Sequence, residues 1–586
     1  MRRQGIAIVA TLAVLVIVAL LVFGTFFTTQ IETWMTRNDT TSTQAYYVAQ
    51  AGVQKYKTVA FQTFRYYLNN MNAYSTAGTI FTPCGNLLNN GLDLNRNKTI
   101  SAADGDLMPG YSVTENVVAG QPNKGSYTLT FNTDGPYVIL KSVGSFGGAR
   151  STVQAVAVVD NVGLFSNAVA SASGASGHLN GNLEFWGSAY IEGTDPTLAV
   201  IDGNGGFNQH NFYNSDVIKD KTGVTETQLA DIKLYTKEQK DLCATLRVHI
   251  GKVKLSGNVT LGDATAPAGS KNTLSGVWVQ SGSQGSCSAS PVPDICQQGS
   301  AVMYTDAVGA YNLSGPINIP TLDGANTCST GGTWRSCLQN LAAASGVTLS
   351  NFTVTGSGAS TTVNFTASPA GLGSCSIPGS TVTVSGGEIT INFGPISFEC
   401  VDNSAAPTKG FRYTKVSGTK GKFEVYGSVV DLRGVHLKFA EDIDIRYTTK
   451  ASLLVETADG KGGDITIDGD VRAATAFPTE NILGLIADRD LIFTGALQNL
   501  TGGPQEQIAM GQFFGGRQTK VLGGGVVFGT IVTKELCTNT TCNPSGGGGT
   551  AKIFQVPGLE YNLAPGFDKV SGSSQAAFGQ ITYERR

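Results

Sequence analysis

The sequence predicts an α+β fold: a long N-terminal helix, an antiparallel sheet against its lower half, and a large inserted β-solenoid. Three observations predict it. An uncharged apolar run from Ile6 to Phe27 passes into helical sequence that meets no proline before Tyr74. Four alternating segments then fill 111–160, and beyond Asn161 short strands ending in Gly or Asn-Gly recur at close intervals. Glycine reaches 74 copies and charged residues only 14 % of the 586, a turn-rich β composition foreign to a helical enzyme.

The helix comes first. Ile6–Phe27 is long enough to span a bilayer, and Arg2 and Arg3 place its start on the cytoplasmic side. A secretory signal peptide is the competing reading. No small, polar cleavage region follows Phe27, which argues against it. Val53, Tyr56, Ala60, Phe64, Tyr67 and Leu68 recur at helical spacing and mark a buried stripe on the second half. A helix from Ile6 to Leu68 would run roughly 95 Å.

The sheet is expected from Tyr111–Val118, Ser126–Asn132, Tyr137–Phe146 and Ser151–Val159, with Tyr127, Leu129 and Phe131 alternating inward. Stacked rungs are expected over 161–560, in runs such as 177–193, 253–262, 423–427, 443–447, 465–471, 491–495 and 521–533. No strict repeat is visible, and a β-sandwich is the competing arrangement; the number of strands favours the solenoid. Residues 215–245 read as helical. Residues 325–400 read as an excursion budding from the solenoid, and 561–586 as a return to the first sheet, with a last strand at Phe578–Tyr583.

The N-terminus carries a resemblance. Met1-Arg-Arg-Gln-Gly5 followed at once by an apolar helix resembles a class III prepilin leader. Ala45-Tyr46-Tyr47-Val48-Ala49-Gln50-Ala51-Gly52-Val53 resembles the A-x-Y-x-A-E-A-G signature of type IV minor pilins of the PilX and general-secretion K-type group, with Gln50 in place of Glu. The resemblance implies a leader 1–5 cut between Gly5 and Ile6 by prepilin peptidase, a membrane half at 6–27 and a pilin domain over 28–160. It also implies other pilins and minor pilins as partners, and passage from the inner membrane to the cell surface. The fifth residue after the cut is Ala10, where major pilins carry a Glu that neutralises a neighbour's amine in the apolar fibre core. A tip subunit has no neighbour above it and can lose that acid. The layout as a whole resembles the large competence minor pilins of Thermus-type bacteria, pilins with an inserted β-solenoid associated with DNA uptake. That implies a tip-located subunit binding extracellular double-stranded DNA for natural transformation. A structural or adhesive tip pilin that primes assembly or holds surface glycans is the alternative.

Ten cysteines include the close pairs Cys287/Cys296, Cys328/Cys337, Cys375/Cys400 and Cys537/Cys542, leaving Cys84 and Cys243 to pair with each other. Zinc finds little support, because the four histidines lie at no ligand spacing to a CxxC. Disulfides in an oxidising compartment fit better. Asp93, Asn95, Asn97, Thr99, Ser101 and Asp104 place oxygens at the spacing of an EF-hand loop and predict a structural Ca2+, although Lys98 stands where such loops carry Gly.

The DNA candidate is a basic run with no acid between Asp402 and Glu424. Lys409, Arg412, Lys415, Lys420 and Lys422 would track phosphates, and Phe411 and Tyr413 would stack on bases. A second cluster, Lys219 to Lys254, is diluted by acids. Enzymatic readings fail. Asp464, Asp468 and Asp470 have no Arg or His assigned to them, and no phosphate loop, GxSxG or HExxH occurs. The chain is read as a non-enzyme.

Processing is directly testable. The mature chain is expected to begin at Ile6, and Gly5→Val to block maturation. Mass spectrometry of assembled fibres decides it, and intact Met1 there would refute the assignment.

Overall fold

In the computed structural model one helix, α1 (Arg2–Asn69), opens the chain. The structure describes residues 2–69, 94–95, 101–134, 137–172, 179–180, 183–538 and 550–585, with short omissions at 105, 205, 236, 314, 357–360, 369–371, 373, 501–502, 571–573 and 579–581. The chain divides into two compact units. The first gathers Met1–Ile80, Gly85–Asp160 and Phe578–Arg586, and the second contains Asn161–Ala577.

The first unit joins α1 to an antiparallel sheet of β1 (Ser112–Asn116), β2 (Ser126–Asp134), β3 (Tyr137–Phe146) and β4 (Ala149–Gly163). Two C-terminal strands, Ser574–Phe578 and Thr582–Arg585, join beside β4, the second antiparallel to Val153–Val156. The N-terminal part of α1 is long and apolar enough to cross a membrane, with none of its most apolar window buried. Val53, Tyr56 and Ala60 are buried as the periodicity expects. The side chains of Phe64, Tyr67 and Leu68 lie outside the described residues.

The alanine-glycine motif has a physical reason. Ala45 and Ala49 are fully buried against β3, where a Cβ on Gly144 would stand 2.2 Å from the Ala45 carbonyl oxygen. A Cβ on Gly52 would stand 2.6 Å from the Tyr127 ring. Small residues at 45, 49 and 52 share one helix face, so the strand backbone can press against the helix backbone. Beside this contact Glu115 accepts from Lys55 (2.5 Å), from the Tyr56 hydroxyl (3.1 Å) and from the Tyr127 hydroxyl. Burial first, and then that carboxylate, push both tyrosines well above their ordinary pKa.

The second unit is a stack of parallel rungs. Val526–Thr533 pairs on one side with Ile508–Gly515, and through it with Ile482–Ala487, Lys450–Ala458, Val429–Arg433 and Val347–Thr355 in turn. On its other side it pairs with two short strands sharing one rung, Ala551–Phe554 and Val169–Ser171. Those pair with Leu183–Trp186 and Ala189–Ile191, then Phe207–His210 and Thr245–Val248, and so on to Val302–Met303 and Val308–Gly309. Further parallel strands stack alongside, Leu437, Ile465, Leu491 and Thr519 lying in register.

The chain therefore enters the stack at an inner rung, builds outward to 309, crosses to the far end and winds back to where it began. The crossing runs over 310–346. Ile317 N–H donates to the Tyr190 hydroxyl (2.9 Å), and Trp334 packs on Phe514. Arg335 then pairs with Asp488 and Glu456 (both 2.8 Å), and Ser428 N–H donates to Ser345 O (2.8 Å). The helix α4 (Trp334–Ser345) lies in this crossing.

Two expectations are corrected. Residues 215–245 are helical only in α2 (Ser215–Thr222) and α3 (Glu226–Asp231). Gly223 at φ +69° ends the first, and Ile232 turns extended after the second. Residues 325–400 do not bud off, since Val347–Thr355 pairs parallel with Val429–Arg433 as the end rung. Antiparallel strands continue from it (Thr362–Ser368) and cap the neighbouring Gly410–Ser417 (Phe398–Val401), so this end of the stack finishes in antiparallel strands instead of an open parallel edge.

Gly144→Val tests the close contact. The side chain has no room, and the first unit should lose about 1–3 kcal/mol. Hydrogen exchange at β3 amides should accelerate by one to two powers of ten while Ile482–Ala487 keeps its protection. Unchanged exchange at β3 would show that the helix does not need the approach.

Candidate nucleic-acid interface

The basic run folds into a hairpin at one end of the stack. Gly410–Ser417 pairs antiparallel with Lys420–Tyr426, which in turn pairs parallel with Asp444–Tyr447. Side chains alternate across a strand, so the run is sorted onto two faces. Phe411, Tyr413 and Phe423 point inward, fully buried, their rings 5.9, 6.0 and 5.1 Å from that of Phe393. The Tyr413 hydroxyl donates to Gly394 O (3.0 Å). Phe411 and Tyr413 are thus core, and a base stack needs an open ring face. The proposed stacking role is corrected for both.

Most of the cations on the opposite face are already engaged. Arg412 donates to Glu399 (2.6 Å) and to Ser404 O (2.6 Å), and Lys422 pairs with Glu424 (2.7 Å). Lys415 sits at a register shift, its N–H on Ser397 Oγ (2.8 Å) and its Nζ on Pro395 O (3.2 Å). Lys409 is half-buried and its N–H donates to Asp402 (3.1 Å), an acid held down at about 2 by the Thr408 hydroxyl and by backbone N–H groups. Lys420 is exposed and makes no ion pair among the described residues. The acid-free sequence window is therefore not acid-free in space, because Glu399 comes in from the neighbouring strand.

Part of the second cluster is engaged as well. Lys219 pairs with Asp216 (2.7 Å) and Glu226, Lys221 with Glu184 (2.7 Å), and Lys237 caps Leu229 O (2.6 Å). Arg247 is buried, its guanidinium 4.6 Å from the Trp278 ring. Between 161 and 577 there are 27 Lys and Arg against 34 Asp and Glu, a formal charge of −7.

The carboxylates left unassigned by the sequence acquire partners from adjoining rungs. Asp464 meets His436 (3.2 Å) and Arg489 (3.5 Å), Asp468 meets Lys438, and Asp470 meets Arg472 (3.3 Å). Two histidines bridge three rungs each. His436 lies between Glu388 (2.5 Å) and Asp464, with Arg489 facing both acids. His210 lies between Glu184 (3.2 Å) and Asp263 (2.8 Å), stacked on Trp186, with Lys221 on Glu184. For His436 the Asp464 hydrogen bond leads in raising the pKa. For His210 burial acts downward, and Asp263 and Glu184 outweigh it. Sequence reasoning missed these bridges because the residues that meet lie 26 to 53 positions apart.

Cys287–Cys296, Cys328–Cys337 and Cys375–Cys400 are bonded. Cys243 and Cys537 are also in disulfides, and their expected partners Cys84 and Cys542 lie outside the described residues. Of the candidate Ca2+ ligands, Asp93, Asn97 and Thr99 lie outside them too, while Asn95, Ser101 and Asp104 are described. Asp106, absent from the expected set, is buried and accepts from Leu94 N–H (2.7 Å) and Ser101 N–H (3.0 Å), closing the loop. Among the described residues no group of three His, Cys, Asp or Glu could hold a metal ion.

No family model and no curated protein matches the sequence. Among solved structures, the crystal structure of the competence-associated pilin ComZ from Thermus thermophilus is similar. It superposes with a TM-score of 0.55 at 27 % identity, covering 94 % of this chain and 98 % of that one. The α+β architecture described above is thus one the chain shares with a pilin.

The histidine bridges generate a pH dependence. A raised histidine pKa adds stability that is full below the unfolded value of about 6.5 and is lost as pH rises through the folded value. The midpoint of urea unfolding of the second unit should fall as pH climbs above about 6.5. His436→Gln and His210→Gln should each flatten that fall. A slope the same in the variants as in the parent would remove the bridges from the account.

Proposed function

We propose that the chain is a type IV minor pilin located at the pilus tip, where it binds extracellular double-stranded DNA for natural transformation. One observation carries the reading: likeness to a competence-associated pilin across 94 % of the chain. The apolar first half of α1, fit to cross a membrane, supports an inner-membrane precursor processed by prepilin peptidase. Ala10 supports the tip, where the acid of a fibre-body subunit has no partner to neutralise. A structural Ca2+ on the Asp93–Asp104 loop belongs to the same proposal. No catalytic role is assigned.

DNA contact on this reading is narrow. With Arg412 and Lys422 committed to acids and Lys415 turned to a carbonyl, Lys409 and Lys420 are left to meet phosphates. The charge of −7 on the body opposes broad coating and limits contact to these two cations, which lie at opposite ends of the strand pair. The same charge favours a second reading, an adhesive tip subunit that holds surface glycans.

A salt series separates the two. Duplex DNA bound by about two cations should give a log–log salt slope near −1.8, and Lys409→Gln with Lys420→Gln should bring it close to zero. Transformation should fall while fibres still assemble. If the full chain binds no duplex at low salt and its deletion leaves transformation intact, the DNA reading fails and the adhesive one replaces it.

A further inference from the structure

A cleft with a volume of about 50 Å³ opens where Asp231 at the end of α3 faces Lys420, Asp444, Arg446, Arg472 and Gln505. Its chemistry is set by register. Lys420, Asp444 and Asp470 stack in line, and so do Lys422, Arg446 and Arg472, which brings two guanidiniums onto adjoining rungs. Asp444 lies between them and binds both, at 2.8 Å to Arg446 and 2.7 Å to Arg472. Arg446 also donates to Asp231 O (3.1 Å), and Arg472 reaches Asp470 (3.3 Å). Three cations and three acids cancel, and both guanidiniums are occupied.

Two polar groups of the wall have no partner among the described residues. Gln505 is 2 % exposed and donates from Nε2 to Asp470 (3.0 Å), while its Oε1 is buried without a partner. A buried acceptor left unpaired is costly, so that oxygen calls for a donor from inside the cleft. Lys420 Nζ, the other open group, calls for an acceptor. A phosphate or carboxylate meets a wall with no net positive charge, including the carboxylates of Asp231 and Asp444, and brings no proton for Gln505. Hydroxyl groups both donate and accept. The volume suits about three or four waters, or the hydroxyls along one edge of a sugar ring.

We propose that this cleft is a saccharide-binding subsite that takes a neutral, hydroxyl-rich sugar edge between Gln505 Oε1 and Lys420 Nζ. The assignment stands on the cleft alone and does not require the DNA reading.

The test uses the full chain in detergent micelles. The probes are cellotetraose, maltotetraose and chitotetraose as neutral sugars, tetragalacturonate as an acidic one, and a thymidine dodecamer. At least one neutral tetramer should bind in the millimolar range, with saturation transfer to its ring protons in NMR. Gln505→Leu should weaken it about tenfold. Lys420→Gln, on an exposed side chain that threatens no fold, should weaken it about fivefold. Dodecamer binding should ignore Gln505→Leu. Absence of neutral-sugar binding, or binding unmoved by Lys420→Gln and Gln505→Leu alike, overturns the proposal. So does a cleft that takes only tetragalacturonate and the dodecamer and loses both on Lys420→Gln; that outcome makes it a phosphate contact and strengthens the DNA reading.

Discussion

In-register pairing of parallel strands is the constraint from which the rest of the second unit follows. An inner strand such as Ile508–Gly515 is bonded along both edges, so no rung can slip without breaking two neighbours. The rung that closes the arrangement is composite. Val169–Ser171 comes from the beginning of the insertion and Ala551–Phe554 from its end, and both sit against Val526–Thr533. Entry and exit are therefore side by side within the stack, which is what an insertion between two strands of another sheet requires. The cost is a crossing from 310 to 346, whose loop-closure entropy must be offset by contacts along the way. Arg335, paired to Asp323, Glu456 and Asp488, and Trp334, packed on Phe514 and Phe567, supply them.

Register also dictates the electrostatics. Identical or like-charged residues on successive rungs are brought within one strand spacing of each other, about 4.8 Å. Arg446 over Arg472 and Asp444 over Asp470 are tolerable only because the two columns neutralise each other. Asp431 shows a site where that neutralisation is incomplete. Burial first, then Glu456, push its carboxyl up to about 7 in spite of Arg433. A body held by internal ion pairs has few cations to spare for a polyanion, which is why a run of five basic residues leaves so little positive surface.

The helix, the meander and the glycine-punctuated strands were legible because each is a local pattern with its own period. Val53, Tyr56 and Ala60 announce a face every three or four residues, and Tyr127, Leu129 and Phe131 every two. The same period of two was present in Phe411, Arg412 and Tyr413, and it already separates rings from cations; reading the run as composition overlooked it. The rung partners were not legible. Leu437, Ile465, Leu491 and Thr519 are 28, 26 and 28 residues apart, and Val471 meets Ala509 only after a 38-residue interval that holds the hairpin of Leu497–Leu500 and Gly503–Glu506. With the spacing variable, a sequence cannot say which carboxylate will stand above which histidine. The end cap was misplaced for the same reason, since nothing local ties Val347 to Val430.

These two kinds of order bear differently on function. Long-range attraction of DNA depends on net charge and on unpaired cations, and the second unit is poor in both, so on the DNA reading duplex contact would be short-range and limited to Lys409 and Lys420 at the two opposite ends of the hairpin. Recognition of a neutral ligand depends instead on fixed, unsatisfied polar atoms, and rigid rungs are suited to hold them. Gln505 is held by Asp470, Asp470 by Ile508 N–H and Arg472, and Arg472 by Asp444, each on a strand paired to the next. Lys420 belongs to both surfaces. If the hairpin meets phosphates through Lys420 while the cleft beneath takes a hydroxyl, the two ligands compete for a single ammonium group, and occupancy of one should weaken the other by the share of binding that Lys420 carries.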